Sequence, residues 1–282
     1  MRFAKEELKE YPVSRVCELL GVSRGGFYKP PRQTRDEEKK IEEAVISSFR
    51  RNNERYGRIR IRKELLLLGI DVSEYRIGNI LRRNGLKAKS GRKGTKKKAE
   101  PLPTQYLEEN LIQDKFAVKQ ANYLWCSDIT ELKCRSRKLY LCGIIDVATR
   151  RIVGWSIGKT QTQKLVQDAF RMAIGRNPVR PLGAVYHSDR GCQYTAKRTK
   201  ELVESNGFRK SMSRPGTPSD NQPIESFWRT LKCEMPESRE LSFDEAARAI
   251  VGYIELYYNS QRLHSGIQYL VPNQLFTLLS VY

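Results

Sequence analysis

The sequence has almost no histidine, two residues in 282. Its six cysteines, at 17, 126, 134, 142, 192 and 233, form no C-x-x-C pair. These two shortages argue against a zinc finger. Cys126, Cys134 and Cys142 recur every eight residues on strand-like segments, which reads as buried, reduced thiols. No apolar run approaches the roughly 18 residues of a membrane span. The start, Met1-Arg-Phe-Ala-Lys-Glu-Glu, lacks the apolar core of a signal peptide. A cytoplasmic, nucleoid-associated protein is expected. There is no internal repeat and no long heptad repeat. Acidic residues are absent between Arg82 and Lys98, a stretch with nine lysines and arginines.

What is present is positive charge. The net charge is +20, and 39% of the residues are hydrophobic. The chain can therefore fill a core, and its charge attracts a polyanion, most often nucleic acid. An anionic membrane is the weaker partner, because the cations are scattered rather than confined to one amphipathic helix.

The first part of the chain reads as helical. Residues 12–28 alternate an apolar helical face, the break at Gly21 and a cap at Ser23, the outline of a helix-turn-helix. Residues 1–32 form this segment, and 33–88 form a second helical DNA-binding unit. In that unit Ile41, Ala44, Val45 and Phe49 repeat at helical spacing. A helix over 59–68 ends at Gly69, and another from Glu74 is capped by Ser73 and ended by Gly85. Arg82 and Arg83 on this last helix are candidate DNA contacts. Residues 89–119 are expected to be a flexible basic linker. Within it Arg92, Lys93, Lys96, Lys97 and Lys98 would track phosphates without reading sequence.

The pattern changes near Ala121. Segments 122–133, 138–147 and 150–158 are rich in Val, Ile, Leu, Tyr and Trp and separated by short polar turns, a three-strand meander. A helix with Leu165, Val166, Ala169, Phe170, Ala173 and Ile174 on one side follows. Strand 183–188, helix 195–205 and strand 208–213 complete a mixed α/β sheet in the order of the ribonuclease H fold. We place the catalytic core at 120–235, with five strands and flanking helices, and a C-terminal helical extension at 236–282.

Three carboxylates stand out. Asp128 interrupts the apolar run 123–130, where an isolated charge is costly and needs a partner such as a metal. Asp189 ends an apolar run just before Arg190-Gly191, a frequent ligand position in α/β sheets. Asp146 also ends a strand and reads as a turn residue. Ile224, Phe227, Trp228 and Leu231 make the buried stripe of a helix. Glu225, Arg229 and Lys232 share a neighbouring face, which offers one metal ligand and two DNA-binding cations. Two strand-borne aspartates and a helix-borne glutamate in a basic chain point to Mg²⁺ or Mn²⁺, two ions, acting on phosphodiesters. His187 and Asn221 are possible supporting residues; for His187, strand packing is the simpler role.

Trp125-Cys-Ser-Asp-Ile-Thr130, His187-Ser-Asp-Arg-Gly-Cys-Gln-Tyr194 and the segment from Ser213 through Asn221-Gln-Pro-Ile-Glu225 to Phe227 resemble the DDE transposases of bacterial insertion sequences. The 35 residues between Asp189 and Glu225 match that group, as do Tyr257-Tyr-Asn-Ser-Gln-Arg-Leu-His264 and Pro272. Gln222 and Leu263 depart from its usual residues. The resemblance implies a core similar to retroviral integrase, with Asp128, Asp189 and Glu225 as catalytic metal ligands. It implies nicking and strand transfer at element ends, double-stranded DNA with terminal inverted repeats and target DNA as partners, and a homo-oligomer on DNA. It is to the downstream frame of a two-frame element, which implies an upstream-frame protein. The competing expectations are a catalytically silent DNA-binding regulator, a partial transposase needing that upstream fusion, a tyrosine recombinase and an RNA–DNA hybrid nuclease.

Overall fold

The computed structural model describes residues 11–28, 35–89, 108–112, 116–135, 137–215 and 217–280. The chain divides into two compact units, Met1–Ala88 and Lys89–Tyr282.

Among its described residues the first unit has helices and no strand. Helices α1 (Val13–Leu19) and α2 (Arg24–Tyr28) bury Val16, Cys17 and Phe27 together. Helices α3 (Arg35–Arg51), α4 (Arg58–Leu67) and α5 (Glu74–Arg83) follow. Their facing side chains, Val45, Phe49, Ile61, Leu65, Ile77 and Leu81, are buried. Glu64 ties α4 to α3: it accepts from Ser48 Oγ at 2.5 Å, Asn52 Nδ2 at 2.9 Å and Arg51 Nη2 at 2.9 Å. The Ser73 hydroxyl accepts from the Arg76 N–H at the start of α5, a cap of the kind typically worth about 1 kcal/mol.

The second unit is built on a five-stranded sheet. Its strands are β1 (Leu124–Lys133), β2 (Lys138–Asp146), β3 (Ile152–Gly158), β4 (Val185–Ser188) and β5 (Arg209–Met212). The order is β3-β2-β1-β4-β5. The meander β1–β3 is antiparallel, whereas β4 lies parallel to β1 and β5 parallel to β4. Helix α6 (Gln163–Arg176) connects β3 to β4. The short α7 (Cys192–Thr195) and α8 (Lys197–Ser205) connect β4 to β5. Helix α9 (Gln222–Glu234), α10 (Phe243–Gly252), a π-helical stretch (Tyr253–Tyr258) and α11 (Pro272–Ser280) complete the unit.

Strand periodicity sorts the two faces. Trp125, Ser127 and Ile129 point to the α6 side, where Trp125 packs among Phe170, Tyr186 and Phe208. Gly154 on β3 lets α6 approach, since a Cβ there would lie 2.4 Å from the Ala169 carbonyl oxygen. Asp128 alternates to the other side, where α9 packs on β1 and β2. Helices on both faces of a mixed sheet, after a helical unit, make the α/β core expected from the strand order.

Candidate active site

The site forms where β1 and β4 diverge. Their parallel register pairs Cys126 with His187 and Ser127 with Ser188. Asp128 and Asp189 are the next residues on each, so the register sets the two aspartates side by side. Here β4 ends while β1 runs on to Lys133. The Gly191 N–H donates to Asp189 Oδ1 at 3.0 Å, which fixes the turn after the strand.

Helix α9 brings the third carboxylate. Asn221 immediately precedes it and donates from Nδ2 to the Ser127 carbonyl at 2.9 Å. Two turns on, the Trp228 Nε1–H donates to Asp128 Oδ2 at 2.9 Å. Glu225 lies between these anchors, half-buried. The stripe Ile224, Phe227, Trp228 and Leu231 is buried as its spacing predicts.

Electrostatics links the carboxylates. Burial, then the Asp189 charge and further the Glu225 charge push the Asp128 pKa up to about 7, against hydrogen bonds from Ile129 and Trp228. Burial also raises Asp189, opposed by the Gly191 N–H. Neither aspartate has an ion-pair partner among the described residues. Two half-buried aspartates that repel one another offer oxygen donors suited to Mg²⁺ or Mn²⁺. Among the described residues, no three acidic, histidine or cysteine side chains converge closely enough to hold one ion together.

The other candidates are spread around this centre. Lys232 is exposed; desolvation by its neighbours lowers its pKa, and Asp128 and Glu131 draw it back up. Arg229 is exposed. A cavity of about 170 Å³ is lined by Glu131 and by the cations Lys232, Lys133 and Arg239. Neither Lys133 nor Arg239 stands out in the sequence pattern. Lys133 lies five residues beyond Asp128 on the same strand, an odd spacing that strand alternation assigns to the opposite face, so no local signal marked it. His187 is fully buried between Ser211 Oγ at 2.8 Å and Ser213 Oγ at 3.1 Å, and burial lowers its pKa to about 4. Asp146 is buried and takes hydrogen bonds from Thr149 and Asn122, as a turn residue does. Arg82 and Arg83 are exposed on α5. Arg92, Lys93, Lys96, Lys97 and Lys98 lie outside the described residues.

Residues 118–218 and 206–272 match integrase core domains, and residues 35–94 match an HTH-like domain. The transposase for insertion sequence element IS904 of Lactococcus lactis is 36% identical over 87% of this chain and 97% of its own length. The chain belongs to the insertion-sequence transposases with an integrase core. A second member of the family, transposase InsF for insertion sequence IS3A of Escherichia coli, is 34% identical over 96% of each chain. The magnesium-bound catalytic core of HTLV-2 integrase aligns with a TM-score of 0.42 at 19% identity, over 56% of this chain and 97% of that one, too distant to bear on the site. The matched HTH-like segment, residues 35–94, overlaps the second helical unit expected at 33–88.

Proposed function

We propose that this transposase is a DNA strand-transferase whose catalytic residues are Asp128, Asp189 and Glu225. The observation that carries the reading is the juxtaposition of Asp128 and Asp189 one step past the Ser127–Ser188 pair, beneath a helix anchored at Asn221 and Trp228. Asp128, Asp189 and Glu225 would hold two Mg²⁺ or Mn²⁺ ions, which would supply Lewis acidity toward an attacking oxygen and a leaving 3′-oxygen.

The protein's own groups do the rest. The carboxylates must be ionised to ligate, and their mutual repulsion favours a bound cation. Arg229 and Lys232, one and two turns beyond Glu225, hold the DNA backbone against the site. Lys133 and Arg239 extend that cationic wall. Water and then a DNA 3′-OH are the successive nucleophiles, so no covalent protein–DNA intermediate forms. The DNA partners are the element's terminal inverted repeats and target DNA, bound by a homo-oligomer. The basic stretch 82–98 adds sequence-independent affinity.

The test is nicking of duplex DNA carrying the element's end. Nicking should require Mg²⁺ or Mn²⁺ and disappear in Asp189→Asn. Undiminished activity in that variant would refute the assignment. Among the described residues no three acidic side chains converge tightly, and the second reading is a DNA-binding regulator without turnover. End DNA bound but never cut, with either metal, would support it.

A further inference from the structure

Trp228 was expected in the core, and it is 5% exposed. Yet its one polar atom reaches a candidate metal ligand, donating to Asp128 Oδ2 at 2.9 Å. An indole N–H only donates. It therefore engages Oδ2 alone, while the Ile129 backbone N–H also donates to the carboxylate. Trp228 also lies three residues after Glu225 on α9, so the same bond fixes the distance between the strand carrying Asp128 and the helix carrying Glu225.

A second feature points to the same arrangement. Gly143 stands directly opposite Asp128 in the β1–β2 register. Glycine weakens the interior of a central strand and often marks a close approach. A Cβ at 143 would lie 2.6 Å from Trp228 Cη2 and 3.5 Å from Ile224 Cδ1. The strand has given up a side chain where the indole seats.

We infer that Trp228 is a positioning residue that orients the Asp128 carboxylate for a divalent cation, and that Gly143 provides the space in which it does so. The inference rests on the metal-site reading above. Outer hydrogen-bond partners of metal ligands typically contribute about 10–100-fold in metal affinity.

The experiment titrates the full chain with Mn²⁺, followed by water-proton relaxation. Trp228→Phe keeps most of the ring and loses the N–H. It should bind Mn²⁺ roughly tenfold more weakly or worse while its circular dichroism stays that of the parent. Gly143→Ala should weaken binding in the same direction. Affinity within about twofold of the parent in a folded Trp228→Phe overturns the inference, because the expected loss is at least tenfold. If that variant does not fold, the parent chain decides. One of its three indole N–H resonances should shift with Mg²⁺, and the same one should shift in Asp128→Ala. No such resonance overturns the inference too. A parent chain that binds no Mn²⁺ at all refutes the metal site itself, which separates the two failures.

Discussion

Asp128 sits mid-strand between an indole N–H and two other acids, with its pKa raised from 3.8 to about 7. The folded chain thus binds this proton more tightly than the unfolded chain does. The stabilisation from protonation is complete below about pH 4 and is lost as pH rises through 7. In metal-free protein at pH 8 the charge is a liability. Asp128→Asn removes the charge and keeps an oxygen for the indole. It should stabilise the metal-free chain at pH 8 by on the order of 2 kcal/mol, about half the full shift because the side chain retains some solvent contact. The gain should vanish near pH 4. Urea unfolding at both pH values measures it, and destabilisation at pH 8 would show that the carboxylate is not strained. His187 has the opposite sign. Its pKa is lowered to about 4 by burial, so the stability from its neutral form is present above about 6.5 and lost as pH falls through 4.

At the scale of elements, α9 is held at three points. Asn221 and Trp228 bind it to β1, and its last residue, Glu234, accepts Arg262 Nη2 at 2.7 Å and Tyr253 Oη at 2.8 Å. Both members of the Glu234–Arg262 pair are buried. Removing one partner leaves an uncompensated buried charge, so Arg262→Ala should cost about 3–5 kcal/mol in denaturant unfolding. A double variant, Glu234→Leu with Arg262→Met, should recover most of that loss. Non-recovery would mean that the pair is not the reason. Sequence pattern revealed the helix, its stripe and Glu225, because helical spacing is local. It did not reveal these anchors. Trp228 reads as core from its stripe, and its hydrogen bond appears only once β1 lies beneath the helix. Asn259, whose side chain pairs with both the N–H and the C=O of Ile152 and so blocks the edge of β3, acts across 107 residues. No local signal carries that. The two aspartates were readable because each breaks or ends an apolar run, but their adjacency depends on a parallel register that sequence does not state.

At the scale of the molecule, the charge is the dominant property. Residues 1–119 carry +12 of the +20, so both parts of the chain are cationic. Binding to end DNA should fall steeply with salt, by roughly 10³-fold or more between 50 and 200 mM if six or more phosphates are neutralised. Lys232→Ala and Arg229→Ala should each flatten the salt slope by about one. Fluorescence anisotropy over a salt series reads both values, and an unchanged slope would remove those residues from the DNA interface. The family assignment was available from three motifs and their spacing. The structure adds how β1, β4 and α9 gather those motifs.

The most direct test of the central claim is a joining reaction. A labelled duplex ending in the element's terminal sequence with a free 3′-OH is incubated with target plasmid, Mg²⁺ and either the parent chain or Glu225→Gln. The parent should covalently link the labelled 3′ end to the plasmid, and Glu225→Gln should not, although it still binds the duplex. Joining by both proteins alike, or a labelled DNA–tyrosine adduct in place of the joined product, would contradict the account.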